Sequence, residues 1–360
     1  MAFFLPLLIS FLVSFLVTPA VVILLKKKGL VDDPKRHKHP KVVHSYPVPR
    51  GGGIPIFLGL AVSLLFLPFD KHLQGIFIGA LLALTVGIFD DIFEEKIHPL
   101  LRLGTNFAAA GVVVFSGIGI AFINNPLGGI IRLDTPQLCF NLLGETRCLW
   151  LLADLFALLW IAWTMNFVGW SGGVEGQLPG IVVIAALTIA SLSLKFSADI
   201  TQWPVIVLAL VTAGSYLGFL PWNFSPQKIM PGYSGKSLAG FMLAVLSILS
   251  TAKVATLMLV LAVPLVDASY LVIKRLISGH SPVWGGKEHL HHKLLALGWS
   301  KKRISVFYWS ITAFLGFLAL HLNSKEKFYT MFMLIITFLG ILLWLSYLST
   351  SLKQPDQDNG

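Results

Sequence analysis

The sequence predicts an all-α, polytopic integral membrane protein, and three observations lead there. Hydrophobic residues fill 56% of the 360 positions and charged residues 12%, with a mean hydropathy of +0.79; soluble domains carry about a quarter charged residues. Apolar runs near the ~20 residues needed to cross ~30 Å of hydrocarbon recur along the whole chain. Lys and Arg collect in alternate loops, as a cytoplasmic bias of positive charge requires.

Eleven runs qualify, at 3–25, 51–69, 73–89, 103–123, 149–168, 178–194, 202–220, 237–250, 252–273, 304–322 and 328–349. The 237–250 run is short and 149–194 can be divided in a second way, so ten to eleven transmembrane helices are expected. The first run has no charge before it and no small-residue cleavage site after it, so it reads as a retained helix and not a removed signal peptide. No linker, repeat or low-complexity stretch divides the chain. One transmembrane domain over 1–350 is expected, followed by a short polar tail at 351–360.

With the N-terminus outside, the loops 26–50, 90–102, 221–236 and 274–303 and the tail face the cytoplasm and hold 20 of the 27 Lys and Arg. That asymmetry predicts N-out and C-in. The net charge of +10 follows mostly from this bias; it also suits anionic lipid headgroups and phosphorylated substrates. No nucleic-acid partner is implied. Cys139 and Cys148 share the outer 124–148 loop, where an oxidising compartment permits a disulfide. Sequence alone leaves that bond open.

The polar clusters all fall on the face assigned to the cytoplasm: 32–53, 90–91, 166–180, 223–236 and 267–293. Five clusters on one side predict a single site built from several loops. Asp90-Asp91 ends a helix, where carboxylates are costly unless hydrated, paired or functional. Adjacent carboxylates suit magnesium beside a phosphate or a general base. Ser171-Gly172-Gly173-Val174-Glu175-Gly176-Gln177 would let backbone amides approach an anion, with a helix beginning near Leu178. Pro231-Gly232-Tyr233-Ser234-Gly235-Lys236 reads likewise, with Lys236 as a phosphate contact, although its spacing is not that of a Walker A loop. His289-Leu290-His291-His292-Lys293 could be a transition-metal site. Its basic loop and the absence of companion cysteines on that face point to an anion instead.

These residues resemble the polyprenyl-phosphate N-acetylhexosamine-1-phosphate transferases, the superfamily that includes phospho-N-acetylmuramoyl-pentapeptide transferase (glycosyltransferase family 4). The likeness runs over about residues 5 to 320. Gly29-Leu30-Val31-Asp32 with Pro34, Lys38 and His39, then Pro47-Val48-Pro49-Arg50-Gly51-Gly52-Gly53-Ile54, is similar to the first cytosolic loop. Gly87-Ile88-Phe89-Asp90-Asp91, followed by Arg102 and Asn106, is similar to the Asp-Asp motif, with Arg and Asn in place of the usual Lys and Gln. Pro264-Leu265-Val266-Asp267, Lys274-Arg275, Ser281-Pro282, then His289 to Leu295 with Gly298, matches most closely. Its His-x-His-His form resembles the N-acetylglucosamine branch.

The resemblance implies attack of a polyprenyl phosphate on the β-phosphate of a UDP-sugar at the cytosolic face of the inner (plasma) membrane, releasing UMP. It implies Asp90 and Asp91 as catalytic; Lys38, Asn223, Lys236, His289, His291 and His292 as substrate-binding; and Asn166, Glu175, Asp90 and Asp91 as magnesium ligands. A homodimer is left open. The chain departs from the pattern at Gly169, where the family has a second asparagine, at Gly172 and Tyr233, where it has aspartate, and at Lys236, where it has serine. Lys236 could supply charge that the metal otherwise brings. Two other classes compete: a silent homologue that binds polyprenyl phosphate or a nucleotide sugar without turnover, and a transporter. Transporters place polar groups at mid-membrane in broken helices, whereas the charges here gather at one face.

Overall fold

In the computed structural model the helices follow the apolar runs in order, and residues 4–35, 45–93, 97–125, 128–142, 145–250, 253–281 and 288–351 are described. The helices are α1 (Phe4–Lys27), α2 (Gly53–Ala61), α3 (Lys71–Ile92), α4 (Pro99–Phe115), α5 (Leu151–Trp170), α6 (Gln177–Lys195), α7 (Gln202–Asn223), α8 (Gly232–Leu249), α9 (Lys253–Val260), α10 (Ala262–Ile277), α11 (Leu290–Ala296), α12 (Lys301–His321) and α13 (Ser324–Ser351). The protein is a multi-pass, all-α membrane protein.

The crossings differ in detail from the eleven expected. Among the described residues eight helices are long and apolar enough to span, and α9 with α10 makes a ninth, bent by 87°. Two runs give shorter helices, Gly53–Leu65 and Pro99–Phe115. Hydropathy counts apolar residues without seeing where the backbone turns. The 103–123 run includes Gly117 at φ 95 and then enters a strand at Phe122; the 252–273 run breaks at Leu261. The 237–250 run, short in sequence, gains a turn because the helix starts at Gly232. Except for Ser351, the tail at 351–360 lies outside the described residues.

Helices α6, α7 and α8 form the centre, with 78%, 78% and 83% of their most apolar stretch buried, whereas α1 and α13 bury 22% and face lipid. Small residues let the helices approach, since packing rather than hydrophobic exclusion holds helices together in lipid. A Cβ at Gly214 or Gly218 of α7 would stand 2.1 Å from Ser10 Oγ or 2.3 Å from the Phe11 carbonyl of α1. Two of the buried hydroxyls on α1 turn back on their own helix: Ser10 donates to the Pro6 carbonyl and Thr18 to the Ser14 carbonyl.

Among the described residues three antiparallel strand pairs complete the fold. β1 (Val31–Asp32) pairs with β2 (Val48–Pro49) at one end of the bundle. At the other, β3 (Phe122–Asn124) pairs with β4 (Ile130–Arg132), and β5 (Gln137–Leu142) with β6 (Glu145–Trp150). In the last hairpin Cys139 faces Cys148 directly and the two are disulfide-bonded.

Candidate functional site

The C-terminal ends of α3, α5 and α7 and the N-terminal ends of α4, α6, α8 and α12 meet at one end of the bundle, together with the β1–β2 hairpin and α11. This convergence brings together all the described polar clusters singled out from sequence. Lys38 lies outside the described residues.

Asp91 is held by the first turn of α8. It accepts the backbone N–H groups of Tyr233 (2.6 Å) and Ser234 (3.3 Å) and the Ser234 hydroxyl (2.6 Å). A carboxylate at a helix N-terminus satisfies donors that have no partner within the helix and meets the positive end of its dipole. Gly87, one turn before Asp91, lets this contact form: a Cβ there would stand 2.4 Å from Ser234 Cα. Asp90 points elsewhere and forms an ion pair with Arg102 of α4. Arg102 in turn lies over the Tyr233 ring, 5.4 Å from its centroid, and the Tyr233 hydroxyl reaches Asn106 Oδ1 at 3.3 Å.

Lys236 follows on α8, inside the helix and not in the loop expected from sequence. Its side chain runs beside the α5–α6 connection. A Cβ at Gly169 would lie 3.6 Å from Lys236 Cβ, and one at Gly172 would lie 3.1 Å from Lys236 Cε. The Lys236 charge also acts on Asp90 on one side and His291 on the other. Arg50, paired with buried Asp32 at 2.7 Å, is tied to the same region, because the β2 end bridges to Met230.

The histidines stand opposite. His289 Nδ1 is 2.8 Å from Asp267 Oδ2, and the other oxygen of Asp267 accepts the Leu290 N–H at 3.0 Å. One carboxylate thus fixes both the His289 ring and the start of α11. His289 and His291 stack at 5.5 Å with 9° between planes, and His292 lies 4.3 Å from His291. His291 is 2% exposed. Burial first, then the neighbouring charges of His292, His289 and Lys236, hold its imidazole well below the ordinary histidine value. Its ring fills the space over Gly173, where a Cβ would come within 1.9 Å of Nε2.

One expected site residue serves the loops. Asn223 accepts the Gly176 N–H (2.9 Å) and donates to Gln227 Oε1 (3.2 Å) and the Ile229 carbonyl (2.9 Å), so its amide closes the α5–α6 and α7–α8 connections. Gly176 takes φ 79, a conformation glycine adopts without strain, to start α6 one residue before Leu178. Asn166 donates to the Ala162 carbonyl at 2.7 Å. Glu175, 5% exposed, pairs with Lys301 of α12 at 2.6 Å, an ion pair the sequence does not reveal because 126 positions separate the partners.

The residues present do not fit a magnesium site of the expected kind. Magnesium takes near-octahedral oxygen ligands, usually one or two free carboxylates completed by waters and substrate phosphates. Asp90 and Glu175 are each neutralised by a basic side chain, and Asp91 is spent on the α8 N-terminus. No group of three or more His, Cys, Asp or Glu among the described residues could hold a metal ion.

A cavity of about 730 Å³ opens between α5, the α9–α10 bend and α13, lined by Trp160, Trp163, Leu265, Tyr270, Lys274 and Met331 among others. It adjoins the histidine side of the site. Val266 of its wall precedes Asp267, and Trp163 packs on Trp170, which packs on His289. Lys274 pairs with Glu288, next to His289, and this contact holds the Glu288 carboxyl below its usual range.

A bundle with one polar end, paired aspartates, a buried histidine cluster and an adjoining apolar cavity defines a membrane-embedded phosphoglycosyl transferase. The glycosyl transferase family 4 model matches residues 73–251, the span holding the paired aspartates, the glycine loop and Lys236. Full-length relatives agree. A Bacillus subtilis protein named "Probable undecaprenyl-phosphate N-acetylglucosaminyl 1-phosphate transferase" is 28% identical over 91% of this chain and 87% of its own. The decaprenyl-phosphate N-acetylglucosaminephosphotransferase of Mycobacterium tuberculosis is 28% identical over 88% and 82%, and the phospho-N-acetylmuramoyl-pentapeptide-transferase of Enterococcus faecalis 27% over 86% and 94%. The chain belongs to glycosyl transferase family 4.

Proposed function

We propose that this protein transfers an N-acetylhexosamine-1-phosphate from a UDP-sugar to polyprenyl phosphate at the cytosolic face of the inner (plasma) membrane, releasing UMP. The observation that carries the reading is the meeting of Asp90, Asp91, Lys236 and the three histidines beside the mouth of an apolar cavity. The names of the relatives supply the substrate classes.

In this reading the polyprenyl chain lies in the 730 Å³ cavity, an apolar space open to lipid. Its phosphate rests at the mouth near Lys274 and His289. A phosphate monoester has a second pKa near ~6, so at neutral pH it is largely doubly ionised and attacks without a protein base. Its oxygen forms a bond to the β-phosphorus of the UDP-sugar, the bond from that phosphorus to the bridging oxygen breaks, and the electron pair leaves on UMP. Phosphoryl transfer of this kind is accelerated mainly by positioning and charge neutralisation. Lys236, His289, His291 and His292 contact the phosphates. Asp90 and Asp91, expected from sequence to be catalytic, are positioning residues: Asp90 orients Arg102, and Asp91 fixes the turn of α8 that carries Lys236. Every residue invoked comes from one chain, so a homodimer is not part of the proposal.

Purified protein in detergent, given a UDP-N-acetylhexosamine and polyprenyl phosphate, should release UMP, and Asp90→Asn and Asp91→Asn should each lose most of that activity. Full activity in both variants would overturn the assigned site. Tight UDP-sugar binding with no turnover would select the silent homologue, which the glycines at 169 and 172 and Tyr233 favour.

A further inference from the structure

We infer that the Lys236 ammonium, and not a divalent ion, is the cation that neutralises the donor pyrophosphate in this site. The inference rests on the transferase reading and concerns which charge does its electrostatic work.

Three observations carry it. Each carboxylate expected to ligate the ion is already engaged: Asp90 by Arg102, Glu175 by Lys301, Asp91 by three donors of the α8 N-terminus. A metal would have to displace a guanidinium, an ammonium or a helix cap. Next, the Lys236 side chain occupies the ground over Gly169 and Gly172, passing within van der Waals distance of where their Cβ atoms would be. A Cβ at 172 would already meet the flexible Lys236 stem at 3.1 Å, so an oxygen-bearing side chain there would compete with the lysine for the same space. Finally, the lysine stem runs beside Gly172, next to Gly173 with the His291 ring over it, on the helix whose first turn holds Asp91.

A lysine is a point charge with three donors that binds phosphate oxygens directly. Held on the rigid first turns of α8, it lowers the barrier as a metal would, by meeting negative charge as it moves toward the leaving UMP oxygen. Arg102 and Arg50 stand at the same end of the bundle but are already paired with Asp90 and Asp32, which leaves Lys236 to meet the developing charge.

The test uses full-length protein in detergent and two probes. UDP-N-acetylglucosamine binding is titrated calorimetrically in excess EDTA and in excess magnesium, and manganese(II) binding is followed by electron paramagnetic resonance. Expected are equal donor affinity in both buffers, no stoichiometric manganese site, and UMP release that persists in EDTA. Lys236→Met should weaken donor binding by about tenfold or more, the loss of one charge-assisted contact to phosphate, while Lys236→Arg retains much of it. Donor binding or turnover that needs magnesium, or one-to-one manganese binding lost in Asp91→Asn, overturns the inference and leaves the transferase reading standing. If the Lys236 variants fail to fold, the wild-type EDTA and manganese measurements decide alone. Donor binding in neither buffer overturns both.

Discussion

Gly173→Ala tests the site through a single methyl group. The added Cβ would lie 1.9 Å from His291 Nε2, 2.2 Å from Cδ2 and 2.4 Å from Cε1, so it strikes the face of the ring. Ordinary contact begins at 3.4 Å, so the imidazole must retreat by roughly 1.5 Å, the shortfall between those two distances. His291 is 2% exposed, stacked on His289 and in tilted contact with His292, so it cannot retreat alone. A misplacement of about 1 Å at a positioned group costs on the order of 10²-fold in rate, or about 2.7 kcal/mol of transition-state stabilisation. UMP release by the purified variant, with donor affinity measured in parallel, should show that fall in kcat/KM. Gly172→Ala is the control: its Cβ meets Lys236 Cε at 3.1 Å and Leu178 Cβ at 3.2 Å, and the lysine can swing aside, so its loss should be clearly smaller. Wild-type turnover in Gly173→Ala, or equal loss in both variants, would refute the argument that the His291 ring against this loop sets the active geometry.

Lys301→Met strands the buried Glu175 carboxylate and should destabilise the protein by about 3 kcal/mol; Lys301→Met/Glu175→Gln should recover most of it in detergent-melting experiments, and an unchanged single variant would contradict the pairing. Because the folded His291 stays neutral while the unfolded chain takes up a proton below about pH 6.5, stability is full above that value and falls as pH drops through it, by at most about 1.4 kcal/mol per unit for this group. The slope of melting midpoint against pH should flatten in His291→Gln, and an unaltered slope would remove His291 as its source. Cys139 and Cys148 should accept maleimide in denatured protein only after reduction; labelling without reductant would deny the disulfide.

The Asp267 carboxylate shows how far a local sequence reading reaches. The sequence singles out Pro264 to Asp267 and His289 to Leu295 because both resemble family motifs. That Asp267 clamps His289 and the α11 N–H was not legible there, since the partners are 22 positions apart and joined only by folding. Asn223 looked like a ligand group because an amide at a helix end is ambiguous. Its full set of hydrogen bonds to two loops is decided by where α6 and α8 begin. The departures at Gly169, Gly172 and Tyr233 read from sequence as losses, yet in the fold the two glycines leave room for the Lys236 side chain and the Tyr233 ring lies under Arg102.

By itself the sequence determined the class of this protein. Hydropathy over ~20-residue windows is a sum over near neighbours, and the free energy of entering lipid is governed by the same sum, so the order and approximate position of the helices follow from the sequence. It also determined that polar chemistry gathers at one end, because charged groups are excluded from hydrocarbon wherever they fall. Only the tertiary structure decided which charges face which. Ion pairing and hydrogen bonding depend on ångström separations between residues far apart in the chain, and those distances exist only once α3, α5, α8, α10 and α12 are packed. The assignment of Asp90 to Arg102, Asp91 to α8 and Glu175 to Lys301 is therefore a property of the fold, written nowhere in the spacing of the residues.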